Sequence, residues 1–139
     1  MISQGQCTIF KQNLLSGLEN FAVGTPYVYK IALYTSLANL DSSTLAYTTS
    51  GEITGAGYTA GGKTLTVIPP AGNNGAAYIS FNNVTWSPAT FTTRAALIYN
   101  GTTNAAVCVL DFGSDKTASG NFTVTFPTAT STTAVIILN

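Results

Sequence analysis

The chain contains no histidine among its 139 residues. That excludes a Ser-His-Asp triad, an imidazole general base and an imidazole metal ligand. Charge is scarce as well: five basic and five acidic residues make up 7% of the chain and leave a net charge of zero. An ordinary domain carries about 25% charged residues. Five cations are too few for a phosphate-neutralising stripe, which excludes a basic nucleic-acid reader. The same scarcity excludes a polybasic membrane binder. No run approaches 18 apolar residues, so no membrane-spanning helix is expected. The N-terminal stretch Met1–Phe21 has no basic start followed by a long apolar core, and does not read as a secretory signal. The two cysteines, Cys7 and Cys108, form no metal-ligand spacing and no C-x-x-C. They read as buried free thiols acting as small hydrophobes, with a Cys7–Cys108 disulfide as the alternative.

Hydroxyl groups fill the space left by charge: Ser and Thr occupy 34 of 139 positions. Thr, Tyr, Phe and Trp favour strands, and Gly and Pro supply turns. The chain length suits one domain over residues 1–139, with a folded surface of roughly 6,800 Å². One helical stripe occurs: Cys7, Phe10, Leu14, Leu18 and Phe21 predict a helix over about residues 4–21. Ser3 and Gln6 would cap it, and Gly24 and Pro26 would stop it.

From residue 27 to 138 the apolar period is two. Tyr29, Ile31, Leu33 and Thr35 share one face of a strand, with Lys30, Ala32 and Tyr34 on the other. Further strands are expected at Lys63–Ile68, Ala76–Phe81, Arg94–Tyr99, Ala105–Phe112, Asn121–Phe126 and Ala134–Leu138. Shorter pieces are expected near Leu45–Thr49, Gly51–Thr54 and Val84–Ser87. Ala134–Leu138 is apolar on both faces, which calls for a central or a covered position. Loops are expected at Pro69–Gly75, at Asn100–Asn104 with a hairpin turn at Asn100-Gly101, and at Gly113–Gly120. The pattern predicts an all-β fold, an antiparallel β-sandwich or jelly-roll-like domain with one short N-terminal helix.

Few motifs carry chemistry. Gly57-Tyr58-Thr59-Ala60-Gly61-Gly62-Lys63-Thr64 satisfies the phosphate-loop pattern, and Val107–Asp111 resembles the apolar strand whose aspartate would hold magnesium. That mechanism needs a buried strand before the loop and a helix after it. Here a short glycine-rich stretch precedes the loop, and a strand closed by two prolines follows it. The glycines read instead as turns and a bulge. Glu19, Asp41, Glu52, Asp111 and Asp115 could supply a carboxylate pair for glycoside hydrolysis, but none sits in an acid–base motif. Asp111-Phe112-Gly113 reads as turn chemistry. The sequons at Asn83, Asn100 and Asn121 are close in number to the roughly 2.7 expected by chance, and carry no weight. No catalytic, cofactor-binding or metal-binding residue is expected.

The order of segments from Tyr29-Lys30-Ile31-Ala32-Leu33-Tyr34 through Gly51–Leu65 to Val84-Thr85-Trp86, Ala95–Asn100 and Leu110–Gly113 resembles a family of small structural proteins of tailed bacteriophages. The most specific piece is Glu52-x-x-Gly-x-Gly-Tyr-x-x-Gly-Gly-Lys, and the resemblance covers about residues 6–139. It implies a non-enzymatic virion component without cofactor, namely a head decoration (cement) protein that stabilises the capsid. Such a protein is located in the virion, and in the host cytoplasm during assembly. Its implied partners are the major capsid protein or other virion proteins and further copies of itself, with a trimer implied by local threefold positions; nucleic acid and membrane are not expected as partners. A tail, neck or fibre-associated role is the alternative within that setting. A carbohydrate-binding β-sandwich module, with Tyr58, Trp86 or Tyr99 as a stacking platform, is the alternative outside it. Low charge leaves strand edges poorly protected, with Lys63 and Arg94 among the few residues able to blunt them.

Overall fold

The computed structural model describes residues 1–139. It contains two antiparallel sheets and one short helix, a β-sandwich-like arrangement. In chain order the elements are β1 (Gly5–Gln6), α1 (Thr8–Leu15), β2 (Tyr29–Tyr34), β3 (Lys63–Thr64), β4 (Val67–Asn73), β5 (Ala76–Phe81), β6 (Val84–Asn100), β7 (Ala106–Val124) and β8 (Ile136–Leu138). The larger sheet runs β1-β7-β6-β2-β3 and the smaller β4-β5-β8. No helix is long and apolar enough to cross a membrane.

The frame is the β6–β7 hairpin. Its closing loop is longer than an Asn-Gly turn. Asn100 and Ala105 bracket it, and the Asn100 side chain accepts the amides of Thr102 and Thr103. Asn104 takes the left-handed conformation that Asn tolerates, with φ 66°. The two-residue Asn-Gly turn lies elsewhere, at Asn74-Gly75 between β4 and β5, where both residues have positive φ.

β2 lies between β6 and β3 and is buried on both faces. Its Tyr29 face meets the chain after the helix: Phe21 stacks on Tyr29 at 4.3 Å and meets Phe10 and Phe81 edge-on. Its Ala32 and Tyr34 face lies under the long segment 36–62, where the Tyr34 hydroxyl donates to the Thr48 carbonyl. Tyr99, the cross-strand neighbour of Lys30, stacks on Tyr47 of that segment at 4.8 Å. One contiguous core of 30 buried residues reaches from Cys7 to Ile136 and draws on both sheets.

Several expected boundaries move. The helix is eight residues long rather than spanning 4–21. At its start, Gly5 and Gln6 are extended and paired with Val109 and Cys108, so no Ser3–Gln6 box forms. Cys7 is the N-cap without a side-chain cap, and the first helical amide, Thr8 N–H, donates to the Ser42 carbonyl. At its end Gly17, at φ 74°, closes a Schellman motif: Leu18 N–H reaches Asn13 O and Gly17 N–H reaches Leu14 O. Phe21 still reaches the core, but from the following segment; Leu18 is exposed.

The expected strand Lys63–Ile68 is two strands, because the chain crosses from the larger to the smaller sheet at Leu65-Thr66. Val84–Ser87 and Arg94–Tyr99 are one strand. Pro88, which has no amide to donate, lies in a bulge between Trp86 and Ala89, and pairing resumes after it. The expected loop Gly113–Gly120 is largely strand. Only Phe112–Asp115 bulge out, opposite Arg94, while Lys116–Gly120 pair with Ala89–Thr93. β4 likewise runs through Pro69 and Pro70, which an edge strand tolerates. The short pieces near residues 45–54 reduce to single bridges, Ala46 with Ala105 and Glu52 with Tyr34. β8 is an edge strand, not a central one.

Close backbone approach explains two glycines. A Cβ on Gly62 would lie 1.7 Å from the Ile31 carbonyl oxygen, and one on Gly57 would lie 1.9 Å from the Pro88 carbonyl oxygen. Gly75 has a similar positive φ but open space around it. Gly62→Ala is therefore expected to destabilise the protein by more than about 3 kcal/mol, and Gly75→Ala by only about 1–2 kcal/mol. Urea unfolding of both variants measures the difference.

Candidate functional site

The residues of the apparent phosphate loop form a clasp around one carboxylate. Glu52 Oε2 accepts the Tyr47 hydroxyl at 2.6 Å. Oε1 accepts the Tyr58 hydroxyl at 2.6 Å and the Gly61 amide at 2.7 Å. The Tyr58 oxygen in turn accepts the Leu33 amide of β2 at 2.9 Å, and the Tyr99 hydroxyl donates to the Gly61 carbonyl at 2.6 Å. Burial and the neighbouring carboxylate push the Tyr47 and Tyr58 phenols above the usual tyrosine range, so both stay protonated donors. With both Glu52 oxygens engaged inside the protein, the cluster fastens loop 51–62 onto β2.

This geometry removes the phosphate-loop reading. The chain after Gly62 is the edge strand β3, not a helix. Gly57, Gly61 and Gly62 all have positive φ and make turns. Lys63 points away from any phosphate position: its ammonium donates to the Thr85 carbonyl at 2.6 Å and lies 5.8 Å from the Trp86 ring centre. Asp111, the magnesium-like aspartate, pairs with Arg94 at 3.0 Å and accepts the Gly113 amide, which is turn chemistry. The Arg94 bond and that amide hold its carboxyl below the usual range.

The other carboxylates stay apart in role. Asp41 accepts the hydroxyl and amide of Ser43, which hold its carboxyl low. Asp115 lies exposed in the bulge of β7. Glu19 is the unusual one, and no motif marks it. It is only 6% exposed, and Oε2 accepts the Tyr29 hydroxyl at 2.7 Å and the Asn100 amide nitrogen at 3.1 Å. Oε1 has no hydrogen-bond partner in the protein. Burial raises the Glu19 carboxyl above its ordinary range, against the hydrogen bonds that lower it. Glu19 also lines an apolar cleft of about 190 Å³ between α1 and the smaller sheet, together with Phe10, Leu14, Ile79 and Leu138.

Nor do the aromatic residues form a sugar platform. Trp86 is 1% exposed and Tyr99 2%, and the Tyr58 hydroxyl is tied to Glu52. Trp86 packs among Tyr58, Phe91 and Phe122 as core. Both cysteines are free and buried; burial pushes the Cys7 thiol up to about 11 and the Cys108 thiol up to about 12. Asn100 is fully buried, Asn83 accepts the Phe126 amide and Asn121 accepts the Ser87 hydroxyl, so the sequons are structural polar contacts. No group of three His, Cys, Asp or Glu side chains is placed to hold a metal ion. Comparison with family models, curated proteins and solved structures gives no match.

Two substitutions test these clusters. Tyr58→Phe leaves the Leu33 amide without its acceptor and removes a donor from Glu52, and is expected to lower stability by about 1–3 kcal/mol in denaturant unfolding. Glu19 has a raised folded-state pKa, so its contribution is fully present below the unfolded carboxyl range and is lost as pH rises through the folded pKa. The stability of wild type relative to Glu19→Gln should therefore fall as pH is raised from about 4 to about 7. Thermal unfolding across that range, compared pairwise, reads the difference.

Proposed function

We propose that this protein is a non-enzymatic structural component of a tailed-bacteriophage particle, a head decoration (cement) protein that binds over the capsid lattice as a homo-oligomer. The observation that carries the reading is the use made of Glu52-x-x-Gly-x-Gly-Tyr-x-x-Gly-Gly-Lys, the stretch on which the resemblance rests. Its carboxylate, phenol and glycines serve architecture: they fasten a long loop onto β2 of the larger sheet.

The surface supports a packing role. The chain has ten Asp, Glu, Lys and Arg side chains for 6957 Å² of accessible surface, and one of them, Glu19, is buried. Leu15, Val23, Leu37 and Leu45 are exposed large apolar side chains. Sparse charge and exposed apolar groups favour association with protein surfaces. The partners in this reading are the major capsid protein and other copies of the chain, and the location is the virion.

A protein that binds only the assembled shell stabilises it by mass action. Particles stripped of this protein are expected to release DNA at a lower temperature than complete particles, and adding the protein back should restore the difference. Cryo-electron microscopy of the source particle gives the position. Density confined to the tail, or stripped heads of unchanged heat resistance, would replace the cement role with the tail-associated one.

A further inference from the structure

The end strands of the two sheets are β1, β3, β4 and β8, and the outer side of β7 beyond Asp111 is open as well, interrupted by the Phe112–Asp115 bulge and flanked by Asp115 and Lys116. An open edge is a template for pairing, and proteins blunt it by shortness, lysine or proline. β3 has two residues, one of them Lys63. β1 has two residues and runs directly into α1. β4 carries Pro69 and Pro70. β8 reads Ile136-Ile137-Leu138, with neither charge nor proline, and the backbone of residues 135–139 bonds to nothing outside its ladder with β5.

The free side of β8 is accessible. It lines a cleft of about 590 Å³ whose opposite wall is Lys11, Leu14 and Leu15 of α1. Leu15 is 90% exposed and Leu138 47%. We propose that this edge pairs with the same edge of a second copy, β8 against β8, antiparallel about a two-fold axis. The two smaller sheets then become one sheet of six strands.

A second copy is the occupant for three reasons. The cleft presents a strand edge, and the complement of a strand edge is another strand. A two-fold axis joins this edge to its own copy, and such a pairing closes at two. Across a two-fold axis each charge near the axis meets its own sign, so a self-pairing edge has to be neutral. No charged side chain follows Lys116 in the sequence. Lys11 is the one charged side chain lining the cleft, and its long exposed stem lets the ammonium stay in water. An axis perpendicular to the sheet also leaves both α1 helices on one face, where Leu15 and Leu138 gain cover. A strand that is apolar on both sides thereby obtains the covered position its composition calls for.

Sedimentation velocity on the full chain at roughly 50 µM tests the pairing, since an association of this kind depends on concentration. Wild type and Leu37→Lys, a control at an exposed residue outside the cleft, should sediment as dimers. Leu138→Lys should sediment as a monomer with an unchanged far-ultraviolet spectrum. Leu15→Lys, which leaves β8 untouched, should raise the dimer Kd by at least about tenfold. A monomeric wild type overturns the proposal. So does a trimer, or a dimer that survives both Leu138→Lys and Leu15→Lys. The dimer is read on isolated protein and the cement role on particles, so either can fail without the other.

Discussion

A single carboxylate holds down the long segment that covers the larger sheet without regular structure of its own. The segment between β2 and β3 crosses one face of the larger sheet with only isolated bridges to it. Backbone in such a position needs partners other than a ladder. Glu52 gathers Tyr47, Tyr58 and Gly61, Tyr58 takes up the Leu33 amide, and Tyr99 takes up the Gly61 carbonyl. Burial of Tyr34, Ile53 and Trp86 depends on that segment staying in place. The glycines follow from the same constraint, since the segment approaches β2 too closely for a Cβ at Gly62.

The opposite face is arranged with the same chemistry and a different outcome. Glu19 receives Tyr29 and Asn100 on one oxygen only. It links the chain after α1 and strand β2 to the turn of the β6–β7 hairpin, which lies far away in sequence. A half-satisfied buried carboxyl is destabilising as an anion and acceptable as an acid. The two glutamates thus divide the work: Glu52 serves as a fully bonded anchor, and Glu19 as a tie whose strength varies with protonation.

The all-β class was legible in the sequence because period-two alternation extends over most of the chain, and Ala76–Phe81 matches its strand residue for residue. The breaks were less legible. Pro88 and the Gly113-Ser114-Asp115 run read as interruptions, yet each occupies a bulge inside a continuous strand, and a local signal for a turn does not distinguish a turn from a bulge. Helix length failed for a similar reason: Leu18 and Phe21 continue the apolar stripe, but Gly17 ends the hydrogen-bonding pattern first. The role of Glu52 was half visible, since its spacing to the glycines was conspicuous while its tyrosine partners at 47 and 58 had no signature. Glu19 had none at all. A lone carboxylate at the end of a helical stripe gives no hint that residue 100 will close over it.

The β6–β7 hairpin also sets the order in which the chain can acquire structure. It is the one large pairing made between neighbouring strands in sequence, with a loop short enough to close early. β2 pairs with residues 95–100, β1 with residues 108–109, and β5 completes its sheet only with residues 136–138. Pairings of such separation are slow, because loop entropy is lost before any contact compensates for it. On a ribosome, Ile31 and Leu33 emerge long before the strand that covers them. The nascent chain therefore carries an uncovered apolar strand with little charge to keep it apart from its neighbours, and rapid closure of the hairpin limits how long that exposure lasts.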